Sequence, residues 1–395
     1  MSQDFQNPFR PGAGHQPPYL AGREVEIQEF RKLLQQNVIL ENLILTGLRG
    51  VGKTVLLDNL KPIALQEGWH WVGSDLSESA SLTEDRIALR LLTDLSVVTS
   101  SLVITESISH GTGFNAKEKS SEIKLHFNVL AEIYENTPGL PSDKLKYVLE
   151  VTWSAMQNQS SKGLVFAYDE AQNLSDNASR DEYPSSLLLD VFQTLQKRGI
   201  PFMLVLTGLP TLFAKLLESR TFAERMFRVL FLDKLSEDAS KDAIVKPIQA
   251  ANCPVQISDD SVDMIIKISG CYPYFIQFIC REAYDAYLQG QKQVPVDEIL
   301  RKLDTDFFSG RWSRATDRQK ELLSVIAKLE NAGTEFTVHE IAEKSKEILE
   351  KPFSSSSINQ MLTNLIDSSL IYKNRHGKYS FAVPLINQFI LRQGK

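Results

Sequence analysis

The sequence of 395 residues is poor in the features of secreted proteins, of membrane-spanning proteins and of proteins that bind nucleic acid indiscriminately. Its three cysteines have no metal-ligand spacing, which indicates buried thiols in a reducing compartment rather than a disulfide framework. No apolar run reaches the ~18 residues of a membrane span, and the polar, Pro- and Gly-rich first residues contain no apolar signal core. A net charge of -6 argues against indiscriminate nucleic-acid binding but allows a local basic patch. We therefore expect a cytoplasmic protein without a membrane partner.

One glycine-rich segment is the most informative feature that the sequence does contain. The residues from Gly47 to Thr54, GLRGVGKT, satisfy every fixed position of the pattern G-x-x-x-x-G-K-[ST]. A short apolar strand precedes them and an amphipathic helix follows, so main-chain N–H groups at a helix N-terminus can bind phosphate. We expect Lys53 to reach the β- and γ-phosphates and Thr54 to bind Mg²⁺. The predicted nucleotide contacts are Gly47, Leu48, Arg49, Gly50, Val51, Gly52, Lys53, Thr54 and Val55.

Two adjacent carboxylates follow a second apolar strand. The segment 163–168 is continuously apolar, as in the middle of a parallel sheet, and Asp169 and Glu170 come directly after it. The carboxyl ends of parallel strands lie at one edge of the sheet, where such folds bind ligands. Asp169 is therefore predicted to hold Mg²⁺, and Glu170 is predicted to orient and deprotonate the attacking water. Gln172 and Asn173 are candidates for contact with the γ-phosphate or with this water.

A threonine and two arginines complete the predicted catalytic set. Thr207 ends the next apolar strand. Its hydroxyl either positions the water or senses the γ-phosphate, or the residue merely initiates a turn. Arg225 and Arg228 precede the last short strand. Either arginine can neutralise transition-state charge on nucleotide bound by a neighbouring subunit, with Arg225 favoured, or can be ordinary surface charge. An arginine that acts on the nucleotide of a neighbouring subunit would require a homo-oligomer, so that interpretation predicts one.

The order of elements predicts the domain organisation. Strands that alternate with helices predict an open, mostly parallel, three-layer α/β sheet. An alternating pattern at about 100–128 predicts a β-hairpin insertion with a mobile tip, either a surface flap or a contact for a partner or DNA. Three helices and a hairpin at the C-terminal end give the order of a winged helix. The predicted domains are an extended, poorly structured arm (1–20), an α/β core (21–235), an all-helical lid (236–312) and a winged-helix domain (313–395).

Together these motifs resemble the AAA+/STAND branch of P-loop NTPases, particularly origin-recognition-like and archaeal-type ATPases. Two further segments support the resemblance over about residues 18–390. Gly22 and Arg23 lie in a "GRE" box that lines the adenine pocket in the family, and Pro273 lies in a G-x-P motif of the lid whose proline packs near the adenine. The resemblance implies ATP and Mg²⁺ as ligands. Initiator-type relatives carry a lid arginine near the position of Pro273, whereas the nearest lid arginine here is Arg281, which favours the STAND-like variant.

The C-terminal segment suggests two kinds of partner. Its predicted recognition helix carries Asn359 and Gln360, whose side chains can reach base edges or phosphates. The wing carries Lys373, Arg375 and Lys378, a basic cluster suited to phosphate or to the minor groove. The helix itself has no Lys or Arg, and winged helices also serve as docking or autoinhibitory modules. Double-stranded DNA and an unidentified protein client therefore both remain candidate partners.

The prediction from the sequence is an Mg²⁺-dependent ATPase of AAA+/STAND type whose nucleotide state controls engagement of DNA through the winged helix. One alternative is a signalling or defence NTPase whose winged helix and hairpin bind only protein. A second is a scaffold that binds nucleotide without hydrolysing it, which the intact Glu170 argues against. ATP rather than GTP is preferred because of the resemblance and because the sequence lacks a guanine-specifying N-K-x-D pattern.

Overall fold

The structure is a computed structural model that describes residues 6–12, 14–110, 117–157, 161–253, 256–291, 293–375 and 377–393. Its strands are β1 (Asn42–Gly47), β2 (Trp69–Val72), β3 (Val103–His110), β4 (Lys117–Lys124), β5 (Gly163–Tyr168), β6 (Phe202–Gly208), β7 (Phe227–Leu232), β8 (Ile371–Arg375) and β9 (Lys378–Phe381). The helices of its first part are α1 (Glu24–Leu34), α2 (Lys53–Gln66), α3 (Glu84–Thr99), α4 (Phe127–Asn136), α5 (Pro141–Met156), α6 (Pro184–Lys197), α7 (Leu212–Ser219) and α8 (Ala223–Met226). Those of its second part are α9 (Glu237–Ala250), α10 (Asp259–Ser269), α11 (Pro273–Leu288), α12 (Val296–Leu303), α13 (Ser309–Trp312), α14 (Asp317–Ala327), α15 (Val338–Ile348), α16 (Ser355–Asp367) and α17 (Ile386–Gln393).

The chain divides into two compact units. One comprises residues 24–46 and 56–230 and contains most of the α/β sheet, and we call it the sheet unit. The other comprises residues 1–23, 47–55 and 231–395, and we call it the lid unit. The lid unit therefore includes the N-terminal arm and the glycine-rich loop besides the C-terminal helices. The domain boundaries predicted from the sequence remain predictions.

A five-stranded sheet in the order β2-β5-β6-β1-β7 is formed by the described residues of the core. Strand β6 pairs in parallel with β1 on one side, with Leu45 opposite Thr207, and with β5 on the other, with Tyr168 opposite Leu206. Strand β2 continues the parallel pairing beyond β5. Because these pairs are parallel, β1, β5 and β6 all end at the same edge of the sheet. The segments that follow these strands therefore start from that edge.

Helices cover both faces of this sheet. Strands β1, β5 and β6 are buried at every position, as expected for the middle layer of a three-layer fold. On one face Ile44, Phe166 and Leu204 pack with helices α3 to α6 in a single apolar cluster. At the β2 edge, the Trp69 indole donates a hydrogen bond to the carbonyl of Leu34 in α1 (3.1 Å). The predicted fold class, a three-layer α/β sheet, is confirmed.

A buried amide network fixes the start of β1. The Asn42 side chain is fully buried, and its oxygen accepts hydrogen bonds from the main-chain N–H of Leu204 (2.8 Å) and from the Gln196 amide (2.8 Å). Its amide nitrogen donates to the carbonyl of Met226 (3.2 Å) and to Gln196 (3.2 Å). One side chain thus joins β1, α6, β6 and the end of α8, because each of its polar atoms has a partner.

The helices of the lid and the C-terminal domain share one apolar core. Phe308 stacks on Phe389 of α17 with ring centroids 5.2 Å apart, and both rings are almost completely buried. Asp304 forms an ion pair with Arg392 of α17 at the margin of this contact. The lid and the winged helix are therefore packed as a continuous body and not as modules joined by a free linker.

The C-terminal elements have the winged-helix order. Helices α14, α15 and α16 are followed by the antiparallel hairpin of β8 and β9, and a bridge from Phe336 to Tyr379 adds a short third strand. Side-chain oxygens of Thr316, Thr337 and Ser354 cap the three helices, which fixes where each begins. Helix α17, which the sequence analysis did not predict, returns from the wing and packs against α14.

The N-terminal arm differs from the prediction of a poorly structured segment. Residues 6–12 and 14–23 form no helix or strand, yet Phe9 is buried in the core of the lid unit against Tyr284 (ring centroids 6.4 Å apart). The Asn7 amide donates hydrogen bonds to the carbonyl of Arg281 (2.9 Å) and to Asp285 (2.8 Å). A single aromatic anchor in a polar, Pro-rich sequence was too weak a signal to predict this docking.

Strands β3 and β4 pair antiparallel from Val103 opposite Lys124 to His110 opposite Lys117, which gives the predicted hairpin. The predicted mobile tip falls at 111–116, outside the described residues. In the described part of the chain, no helix is both long and apolar enough to cross a membrane.

We predict that Asn42→Leu destabilises the sheet unit by about 2–3 kcal/mol, because it leaves the N–H of Leu204 and the Gln196 amide without their buried partner. Urea unfolding monitored by circular dichroism measures this change. Asn136→Ala, at the exposed end of α4, is the control and should change stability by less than ~0.5 kcal/mol. Equal stability of Asn42→Leu and wild type would contradict the role of the network.

Candidate nucleotide-binding site

The glycine-rich loop adopts a conformation that its glycines permit. Gly50 and Gly52 have φ angles of 80° and 89°, in the region that side chains disfavour. A Cβ atom on Gly47 would lie 2.3 Å from the carbonyl oxygen of Leu232, so this position also excludes a side chain. The Lys53 ammonium donates hydrogen bonds to the carbonyl oxygens of Gly47 (3.0 Å) and Leu48 (2.9 Å), which bends the side chain back over the loop. Thr54 lies in the first turn of α2.

Arg23 supports this loop, and Gly22 beside it packs closely against α9. The guanidinium of Arg23, a buried residue, donates hydrogen bonds to the carbonyl oxygens of Val51 (2.9 Å) and Asp233 (2.8 Å). The structure thus places Arg23 directly on the loop, although the resemblance implies a role at the adenine. Gly22, just before it, has a φ of 61°, and a Cβ there would lie 2.7 Å from the Cβ of Ala239.

The lid helix α11 contacts the loop at its first turn. Pro273 occupies the start of the helix, and the main-chain N–H of Tyr274 donates a hydrogen bond to the carbonyl of Gly50 (3.1 Å). The Tyr274 ring packs against Phe307 (5.0 Å between centroids), whose ring lies 4.7 Å below the guanidinium of Arg311. Burial and the nearby Arg49 lower the pKa of Arg311 from its usual value. Arg311 of the lid therefore lies close enough to Arg49 of the loop for their positive charges to repel each other.

In the sheet unit, the acid pair follows β5 as predicted. Asp169 is buried, its main-chain N–H and carbonyl bond to Ser74 and Leu76, and its carboxylate accepts a hydrogen bond from the N–H of Glu170 (2.7 Å). Glu170 is exposed and has a left-handed backbone with φ 52°. Such a conformation is costly for a residue with a side chain and is characteristic of functional sites. A carboxylate fixed by the main chain beside an exposed one fits the division between a metal ligand and a base.

Two buried hydroxyls lie at the same sheet edge. Thr207, near the end of β6, is completely buried, and its hydroxyl has no hydrogen-bond partner among the described residues. The hydroxyl of Thr46, which the sequence analysis missed, is buried and unpartnered there in the same way. Thr46 pairs with Gly208, so the two threonines are diagonal neighbours on adjacent strands. Threonine near the end of both strands was a signal that the sequence contained.

A second group that the sequence analysis missed supports the acid pair from behind. Asp94 in α3 accepts hydrogen bonds from Arg90 (3.0 Å to Nε) and from the hydroxyl of Ser74 (3.1 Å). Complete burial and the nearby Asp94 raise the pKa of Tyr168 well above its usual value. Asp94 thus holds Ser74, whose carbonyl accepts the hydrogen bond from the N–H of Asp169. A buried acid in α3 gave no sequence pattern to detect.

Arg220 and Arg225, which precede β7, and Arg228, which lies in it, have different surroundings. Arg220 pairs with Asp190 (2.7 Å), which raises its pKa. Arg228 lies 3.5 Å from the carboxylate of Glu29 and 3.8 Å from that of Glu41. Arg225 is exposed and forms no ion pair with any residue that the structure describes. Of the two predicted candidates, Arg225 thus has the side chain whose charge is available to another molecule.

Gln172 connects the acid pair to the end of β6. Its amide nitrogen donates a hydrogen bond to the Glu170 carboxylate, and its amide oxygen accepts one from the N–H of Leu209 (3.1 Å). Lys215 in α7 donates to the carbonyl of Gln172 (2.9 Å). The neighbouring Asn173 points elsewhere, to the carbonyl of Leu76 (2.7 Å).

The predicted nucleic-acid residues lie on two surfaces of the winged helix. Asn359 and Gln360 are exposed on α16. In the wing, Lys373 is exposed, but Arg375 pairs with Glu335 (2.8 Å). Lys378 is half-buried and lowers the pKa of Glu340 together with hydrogen bonds from Thr337, against the opposing effect of burial. Of the three predicted wing cations, Arg375 thus has a carboxylate within ion-pair distance among the described residues.

Comparison with known proteins agrees with this architecture. Residues 305–390 match the model of a domain of unknown function (DUF8462), which spans most of the winged helix. Among curated proteins, none matches the sequence significantly. The solved structure of the Walker-type ATPase Paby2304 of Pyrococcus abyssi is similar over 97% of this chain and 98% of that one, with 14% identity and a TM-score of 0.60. The ADP form of the ORC2 protein of Aeropyrum pernix is similar over 97% of both chains, with 12% identity and a TM-score of 0.56.

At such low identities, structural likeness establishes the fold alone. The resemblance that the motifs predicted is confirmed at this level, since the similarity extends over nearly the whole chain and includes the sheet, the lid and the C-terminal domain. The chain has the fold of the AAA+ P-loop ATPases.

Proposed function

We propose that this protein is an ATPase in which ATP binds at the glycine-rich loop and is hydrolysed with Glu170 as the base. The observation that carries the proposal is the strand order: β6 lies between the strand that leads into the loop and the strand that leads into the acid pair. Thr207 lies near the end of β6, and its buried hydroxyl has no hydrogen-bond partner among the described residues. A buried hydroxyl without a protein partner is costly, and a phosphate oxygen or the attacking water supplies the missing partner.

The chemistry divides among residues of this chain. The N–H groups of Gly50 to Val55 and the ammonium of Lys53 bind the phosphates, while Thr207 orients the water or the γ-phosphate. The hydroxyl of Thr54 and the carboxylate of Asp169 are oxygen donors of the kind that Mg²⁺ prefers, so the residues fit this ion. When bound, Mg²⁺ neutralises charge on the phosphates. Glu170 removes the proton of the attacking water.

We propose that three further residues act around the adenine and the glycine-rich loop: Gly22, Arg23 and Pro273. Arg23 keeps the loop in shape through the carbonyl of Val51, and the contact of Tyr274 with Gly50 links the start of α11 to the loop. A change in the loop on nucleotide binding therefore reaches the lid through this hydrogen bond. Because the lid and the winged helix share one core, the same change acts on both.

DNA engagement through the winged helix remains our first proposal for the output of this switch. It is supported by the exposed amides of Asn359 and Gln360 and by the exposed Lys373. Docking of a protein client is the second candidate, and a specific observation favours it. Arg375 is paired with Glu335 and Lys378 lies near Glu340, so the wing presents less free positive charge than its sequence suggests.

The base assignment predicts a selective loss of turnover. We expect Glu170→Gln to lower kcat for ATP by about 100-fold or more, because the amide cannot accept the proton of the water. Binding of a fluorescent ATP analogue should stay within threefold, since Glu170 does not hold the phosphates. Lys53→Ala is the complementary variant and should lose nucleotide binding itself. Turnover in Glu170→Gln equal to that of wild type would contradict the assignment.

Arg225 is predicted to act on the nucleotide of a neighbouring subunit. Specific ATPase activity of the wild type should then rise with protein concentration. Arg225→Ala should abolish this rise and lower the plateau by about 10-fold or more, because the transition-state charge loses its partner. Arg220→Ala, which breaks the pair with Asp190, is the matched control and should retain the concentration dependence. A specific activity that is independent of concentration in the wild type would exclude a shared site.

The two candidate partners differ in their salt dependence. If DNA is the partner, the full-length protein should bind a fluorescent duplex with an affinity that depends on ATP or ADP and falls as salt rises. Lys373→Glu should weaken binding by about 10-fold, while Lys328→Glu, the same change at the end of α14, should have a smaller effect. No duplex binding at 50 mM salt in either nucleotide state would favour the protein client.

A further inference from the structure

We propose that Gln172 is a positioning residue that couples the base Glu170 to the end of strand β6, and hence to Thr207. This inference rests on the proposed function, because it assumes that Glu170 activates water. Its geometry is independent of that assumption. The amide of Gln172 has one hydrogen bond at each end, to the Glu170 carboxylate and to the N–H of Leu209.

The surroundings of Gln172 leave its side chain little freedom. Its own carbonyl accepts a hydrogen bond from Lys215, and the turn that contains it begins with the left-handed Glu170. A Cβ atom on Gly208 would lie 2.7 Å from the amide oxygen of Gln172, so this contact requires glycine after Thr207. The side chain of Gln172 is thus held by Glu170 and by the end of β6, and its main chain is held by Lys215 of α7.

This arrangement has a functional consequence for the base. Glu170 is exposed and its side chain has several rotatable bonds, so its carboxylate can adopt many positions. The amide N–H of Gln172 restricts these positions without blocking both carboxylate oxygens. Since the other end of the same amide is bonded to Leu209, two residues after Thr207, a shift of the β6 end moves the base as well. Contact of phosphate with Thr207 and alignment of Glu170 are therefore linked through a single side chain.

Asn173 shows that the link belongs to one position and not to the turn in general. It has the same amide group one residue later, yet it bonds to the carbonyl of Leu76 and contacts neither Glu170 nor Leu209. Glutamine at 172 is also the length that the geometry needs. Asparagine, which is shorter by one methylene, would not span both partners.

The test measures ATP hydrolysis and nucleotide affinity for variants of the full-length protein. Gln172→Ala removes both bonds and should lower kcat by about 10-fold while the Kd for a fluorescent ATP analogue stays within twofold, because only the base is displaced. Gln172→Glu keeps an acceptor for Leu209 but repels Glu170, so it should lose at least as much. Asn136→Ala, at the exposed end of α4, is the matched amide control and should keep kcat within about threefold, since it leaves both bonds of Gln172 intact.

A double variant separates this proposal from a structural effect. If Gln172 acts through Glu170, then Glu170→Gln combined with Gln172→Ala should hydrolyse ATP no more slowly than Glu170→Gln alone. An equal tenfold loss in both backgrounds would overturn the link, as would near-normal kcat in Gln172→Glu, or an equal loss in Asn136→Ala. Failure of the proposed function would look different, since wild type itself would not hydrolyse ATP or Glu170→Gln would remain active.

Discussion

Parallel pairing of β6 with both β1 and β5 is the constraint on which the candidate site depends. It forces three strands to end at one edge, so a loop, a hydroxyl and an acid pair that are far apart in sequence all begin from the same place. The strands are buried on both faces, which makes any shift of register costly. Asn42 reinforces this at the opposite end of β1, where its amide ties the strand to β6 and α6. The core of the sheet therefore sets the points from which these three segments begin.

The glycine-rich loop is held by contacts that the phosphate-binding pattern itself does not include. Arg23 bonds to Val51 and to the residue after β7, and α11 begins with an N–H bonded to Gly50. These contacts come from the two segments that the family resemblance associates with the adenine. Their direct role in the structure is to set the shape of the loop. A mutation in either segment is thus expected to alter binding of the phosphates as well as recognition of the adenine.

Many residues of the candidate site could be predicted from the sequence, because they lie in local sequence patterns. The loop, the acid pair after an apolar strand and Thr207 each depend on residues that are adjacent in the chain. What the sequence could not supply are contacts between distant residues with ordinary chemistry. Phe9 in the lid core, Asp94 behind Tyr168 and the span of Gln172 from Glu170 to Leu209 are examples. The different surroundings of Arg225 and Arg228 likewise depend on where Glu29 and Glu41 lie in the fold.

The stacking of Phe308 on Phe389 has a consequence for how the C-terminal region evolves and how it can be dissected. The last helix of the chain completes the hydrophobic interior of the lid, so the wing is enclosed between two segments of one folding unit. A fragment that starts after the lid would expose Phe389, and a chain that stops after the wing would expose Phe308. Neither cut yields an autonomous winged helix. Exchange of this region between related proteins would have to carry Phe308 together with Phe389, so the end of the lid and the winged helix are inherited together.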